Sequence, residues 1–112
     1  MEEIMPQWKV RTRCTSTLPN ETWTVDSWKQ KHLVDNAGQA FQDTMRAIGV
    51  DNNLFGTSET EYELIDNVMF MTKYFASEAA YNDYGSRVRQ LETDESKSYP
   101  FTRDIVDQKE VT

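Results

Sequence analysis

From Trp8 to Thr15, apolar or small side chains alternate with Lys9, Arg11 and Arg13. Alternation of period two predicts a strand with Trp8, Val10 and Cys14 on one face and the three cations on the other. Leu18-Pro19-Asn20-Glu21 breaks the pattern, as Pro and Asn do in loops. The period then changes. Leu33, Ala37, Ala40, Phe41, Met45 and Ile48 recur at steps of three and four, which predicts a first helix, and Trp28 extends its stripe backward by one turn. Asp26 or Ser27 is placed to cap its start, and Gly49 to end it in a left-handed residue. Gly38 falls inside this helix.

Residues 50–58 read as a loop. Glu61-Tyr62-Glu63-Leu64-Ile65 is a second strand with its acids on one face, and Asp66-Asn67 is a tight turn into a third strand, Val68 to Phe75. Both faces of that third strand are mostly apolar, the pattern of a central strand covered on both sides. Ser77 caps a second helix, Glu78 to about Gln90, whose early acid suits the helix dipole. A polar loop over residues 91–98 leads to a fourth strand, Tyr99 to Val106. Residues 1–6 and 107–112 are expected as flexible tails, the latter lying on an edge or reaching a partner.

Strand, helix, strand, strand, helix, strand is the split β-α-β order, so one α+β domain over residues 1–112 is expected, of ferredoxin-like type with a four-stranded antiparallel sheet. Both helices would cover one face. The bare face would then be covered by a second copy, making a homodimer through the open sheet face. In that dimer the stripe Lys9, Arg11, Arg13 would be buried and would need matching acids. Alternatively, the stripe pairs with Glu61 and Glu63 across the sheet, or binds an anionic ligand.

The segment Tyr74-Phe75-Ala76-Ser77-Glu78-Ala79-Ala80-Tyr81 resembles the end of the third strand and the start of the second helix in the dimeric α+β barrel superfamily, which includes antibiotic-biosynthesis-monooxygenase-like proteins. The resemblance implies a dimeric α+β barrel with a pocket beside each sheet. It departs from the haem-degrading members, which have an Asn in the first strand, a Trp at the end of the third and a His in the second helix. Here the first strand has no Asn, Phe75 stands at the Trp position and the second helix has no His.

Charge changes the picture of partners. The net charge is -7, residues 1–50 carry six acids and six bases, and residues 51–112 carry thirteen acids against six bases. An acidic surface repels phosphates, so no nucleic acid is expected. The excess serves solubility, or forms an acidic face for a basic partner. No segment approaches the roughly 20 apolar residues of a membrane span, and a lone cysteine makes no internal disulfide, so a cytoplasmic protein is expected. Cys14, on the apolar face of its strand, reads as a small core hydrophobe. Asn20-Glu21-Thr22 fits the glycosylation sequon, a motif that often arises by chance.

Candidate chemistry is sparse. His32 is the sole histidine and so the one imidazole candidate for acid–base work. It stands three residues before Asp35 on one helix face, but no second His or Cys completes a metal set, and neither metal nor cofactor is expected. The ordinary reading is a surface His beside a solvated acid. Trp28, His32, Met71 and Phe75 are the expected lining of a pocket between helices and sheet, where a small organic ligand would bind or be oxidised; the apolar members serve equally as plain core. The competing expectation is a non-enzymatic acidic interaction protein, such as a viral or accessory factor. Whether the chain is an enzyme stays open at this level.

Overall fold

The computed structural model describes residues 6–112; Met1 to Met5, and with them most of the expected N-terminal tail, lie outside the described residues. The fold is α+β. Strands β1 (Gln7–Ser16), β2 (Glu61–Ile65), β3 (Val68–Phe75) and β4 (Phe101–Val111) form one antiparallel sheet in the order β2-β3-β1-β4. The element order is compatible with a ferredoxin-like arrangement. Asp66 and Asn67 join β2 to β3 with φ of 50° and 65°, the positive values that a tight hairpin turn of the favoured hand needs.

The first helical region differs from the single helix that the spacing predicts. It comprises α1 (Val25–Lys29), a π-helical turn (Gln30–Val34), a short α2 (Asp35–Ala37) and then α3 (Gln39–Asp51). Gly38 is the break, with φ of 90°, a value that side-chain-bearing residues rarely adopt. The cap is Thr24. Its hydroxyl accepts from the Ser27 N–H while the Ser27 hydroxyl accepts from the Thr24 N–H, a reciprocal capping box. Gly49 lies inside α3, not past its end. A Cβ there would sit 2.1 Å from the Phe55 ring, so the residue is small to admit that ring rather than to end the helix.

Helix α4 (Glu78–Asp94) is capped by Ser77, as the sequence implies, but runs four residues beyond Gln90. The expected tail Asp107–Thr112 is mostly strand, because β4 continues to Val111 against β1. The β1–β4 register shifts where Arg11 faces Asp107 and Thr12 faces Ile105, so Val106 is the extra residue of a bulge on the edge strand β4, and Ile105 and Val106 are exposed there.

All helices pack on the sheet face that carries Val10 and Cys14. Two core clusters result. Val10, Leu54, Phe75, Ala80, Tyr84 and Val88 form one under α4. Cys14, Trp23, Trp28, Met69 and Phe101 form the other under α1. The register pairs Trp8 with Phe75, Val10 with Lys73, Thr12 with Met71 and Cys14 with Met69. Cross-strand partners share a face. Lys73 therefore stands in the inward row of β3, between Phe75 of one cluster and Met71 beside the other.

The other sheet face is open and charged. Arg11 reaches from β1 over β3 to Glu63 on β2 at 3.3 Å, also contacting the Thr72 hydroxyl. Arg13 pairs with Asp104 on β4 at 3.2 Å, and the Tyr74 hydroxyl donates to Glu61 at 2.6 Å. Arg11 and Arg13 of the basic stripe thus have acids from the same chain. The pairing with Glu63 forms although β1 and β2 are not neighbours, because the Arg side chain is long enough to cross one strand.

Candidate functional site

The four side chains expected to line one pocket are divided between the two clusters. Trp28 and His32 are fully buried under α1, and half-buried Met71 packs against their cluster. Phe75 belongs to the α4 cluster, where it meets Phe55, Tyr81 and Tyr84. His32 is not the surface residue that its polarity suggests. Its ring lies parallel to that of Trp28, with centroids 4.1 Å apart, and edge-on to Trp23. Nδ1 donates to the Trp28 carbonyl at 2.8 Å, which leaves Nε2 to accept the Ser16 hydroxyl at 2.6 Å. The Ser16 oxygen accepts the Leu18 N–H in turn. Every polar atom of the imidazole is satisfied inside the core. Burial holds its pKa below the ordinary value, so the ring is neutral at pH 7. Asp35 points elsewhere and accepts from the Gln30 amide.

A cleft of about 710 Å³ opens between α3 and the β2–β3 side of the sheet. This is within the range of small-molecule sites, about 300–1,000 Å³. Trp28, His32, Met71 and Phe75 are absent from its lining. Helix α3 supplies Gln42, Met45 and Arg46, α1 supplies Lys29, and the sheet supplies Tyr62 and Lys73. The lining holds three cations, Lys29, Arg46 and Lys73, against one carboxylate, Glu59. That balance is the reverse of the chain's, whose net charge is -7.

Lys73 is the distinctive group. It is half-buried in the inward row of β3, with Nζ 5.6 Å from the centre of the Tyr84 ring. Among the described residues no ion pair to it is formed. Burial first, and the positive field of Arg103 second, push its pKa down to about 8. The Lys29 ammonium lies 4.2 Å from the centre of the Tyr62 ring and so is held at the cleft by a cation–π contact. Burial raises the phenol of Tyr62 and takes that of Tyr84 to about 12, so both are neutral hydroxyls at pH 7.

Cys14 is a core residue, as its place on the strand implies. It is fully buried, and burial pushes its thiol up to about 11, which leaves it unreactive as a nucleophile. Among the described residues no three His, Cys, Asp or Glu side chains converge as metal ligands. The acids of residues 51–112 do not mark one face. Glu63 and Asp104 stand on the open sheet face, whereas Glu78, Asp83 and Asp94 belong to α4 on the other side. A second hollow, of about 280 Å³, lies by Trp8 and the start of α4; its Ser77 hydroxyl is already engaged in capping that helix.

Lys73 carried a readable signal. Positions 69, 71 and 75 of β3 are Met, Met and Phe, and a lysine at 73 interrupts that inward apolar row. An inward charge without a nearby partner is costly, and such a group beside a cleft is a candidate for function. Comparisons with protein-family models, with curated proteins and with solved structures gave no match.

Proposed function

We propose that this protein binds a small organic anion in the cleft between α3 and the sheet. The observation that carries the reading is the concentration of Lys29, Arg46 and Lys73 around one cleft in an otherwise acidic chain. Met45, Leu33 and Phe55 supply apolar wall for an organic body, and Gln42 and Tyr62 supply hydrogen-bonding groups. The half-buried ammonium of Lys73 gains a counter-ion when an anion enters. The reading keeps the ligand between helices and sheet, as the resemblance to dimeric α+β barrels implies, but moves it away from Trp28 and His32.

The site needs no second copy, since one chain supplies the whole lining. A homodimer across the open sheet face is a separate proposal. Light scattering decides it by a mass of twice 13.1 kDa. Amide chemical-shift mapping with benzoate and longer aryl carboxylates tests the ligand reading. Shifts confined to residues around Leu33, Gln42, Tyr62 and Lys73, weakened at least tenfold by Arg46→Glu, support it. Shifts absent at millimolar ligand, or scattered over the open sheet face, overturn it.

A further inference from the structure

We propose that the ligand of this cleft is an oxo acid, a small carboxylate that also bears an aldehyde or ketone, and that the Lys73 amine captures its carbonyl carbon as an iminium. The inference rests on the anion-binding reading and specifies the ligand class. Two of the cleft's cations differ from the third. Lys29 and Arg46 stand on helices at the cleft wall, where they are suited to the carboxylate. Lys73 projects from the sheet at the other wall, beneath the Tyr84 ring, where no carboxylate of the described residues pairs with it. Its separate position in the cleft suits it to a different part of the same ligand.

An ammonium has no lone pair to donate, so capture requires the free base. At pH 7.5 the depressed pKa of about 8 leaves a substantial share of Lys73 neutral, whereas a solvated lysine near 10.5 is almost wholly charged. The amine lone pair forms a bond to the carbonyl carbon as the carbon–oxygen π bond breaks. The oxygen takes a proton and the nitrogen gives one up, yielding a carbinolamine. Loss of water, carrying the former carbonyl oxygen and a second proton derived from nitrogen, gives the imine, and protonation on nitrogen gives the iminium. No redox partner enters. Tyr62 and Tyr84, as neutral phenols lining the cleft, are the hydroxyls available to hand the proton to oxygen.

The test uses the full chain, 4-carboxybenzaldehyde as probe and cyanoborohydride, which adds hydride to an iminium carbon and fixes it as a secondary amine. Intact mass and peptide mapping read the product at pH 7.5. The expected result is one carboxybenzyl group per chain, on Lys73, formed at least tenfold faster than on any other lysine and slowed by excess benzoate. Lys73→Met, which removes a half-buried charge and keeps the fold, abolishes the fast label. Labelling spread evenly over the surface lysines, or a fast label that survives in Lys73→Met, overturns the proposal. If benzoate still shifts the cleft amides in that case, anion binding stands and only the capture fails. If it does not, both fall.

Discussion

The imidazole of His32 lies parallel to the indole of Trp28 at 4.1 Å, with 10° between the planes, and hydrogen-bonds to the carbonyl of the same tryptophan. The π-helical turn begins immediately after α1, and this pair spans the junction. Widening the turn releases backbone groups that an α-helix would pair internally. A side-chain nitrogen, rather than the next backbone amide alone, therefore serves the Trp28 carbonyl. The stacked pair is the centre of one core cluster, and its loss is a loss of packing and of hydrogen bonds together.

His32→Ala is accordingly expected to cost about 2–4 kcal/mol, combining a buried cavity with orphaned partners at Ser16 and Trp28. The same residue makes stability depend on acid. Its folded pKa lies below the ordinary 6.5, so the unfolded chain binds the proton more readily. The stabilisation is complete above pH 6.5 and declines as the pH falls through the folded value. Urea melts between pH 8 and pH 5 should show this slope in the wild type and a reduced slope in His32→Phe.

Trp28 offers a contrast between volume and polarity. Its indole N–H is buried without a hydrogen-bond partner among the described residues. Trp28→Phe removes that orphaned donor along with some volume, and should cost much less than Trp28→Ala, for which about 3–5 kcal/mol is expected. Thermal melts of the two variants measure the difference. Equal losses would show that the N–H has a partner in solution.

Gly49→Ala tests the close approach of Phe55. On helix propensity alone the change should stabilise α3 by about 0.8–1.0 kcal/mol. The added methyl, however, would land 2.1 Å from the Phe55 ring, which packs against Phe75 and Tyr84. A net loss of roughly 1–3 kcal/mol is expected, typical of overpacking. Adding Phe55→Leu should recover part of it, and chemical denaturation of the double variant checks this.

The Arg11–Glu63 pair spans three strands, but its carboxylate is largely solvated. A double-mutant cycle with Arg11→Met and Glu63→Gln should give a coupling of about 0.2–1 kcal/mol that shrinks with salt. A larger, salt-insensitive coupling would mean that the open face is covered in solution, as a homodimer requires.

The strands were legible because their signals are local. Alternation gave β1, the Asp66-Asn67 turn gave the β2–β3 hairpin, and Ser77 gave the start of α4. The first helix was not, because Trp28, Leu33 and Phe41 keep helical spacing through both the π turn and the Gly38 break; periodicity registers faces and not the continuity of hydrogen bonds. The end of β4 beyond Val106 was missed because Gln108, Lys109 and Glu110 are polar and exposed, which removes the apolar alternation while the backbone pairing continues. The candidate site was hidden for a different reason. Lys29, Arg46 and Lys73 come from three separate elements, and no spacing within one element announces a cleft between them. His32 drew notice by being unique, yet its burial depended on Trp23 and Phe101 closing over it from a loop and from β4.

Lys73→Met should stabilise the protein at pH 7, by roughly 1–3 kcal/mol, because a desolvated ammonium is removed. The sign follows from linkage. The folded pKa of about 8 is below the unfolded 10.5, so the wild type carries the penalty in full below pH 8 and sheds it as the pH rises towards 10.5. The advantage of the variant should fade over that window. Melts at pH 7 and pH 10.5 give the comparison.

The titration of Lys73 itself is the most direct test of a sequestered amine facing the cleft. Carbon-13 resonances of the lysine ε-methylenes, assigned with Lys73→Met, should show one lysine with a midpoint near 8, moving upward when benzoate occupies the cleft. A midpoint near the ordinary 10.5, unmoved by benzoate, would place Lys73 in solvent and contradict both the cleft and the function built on it.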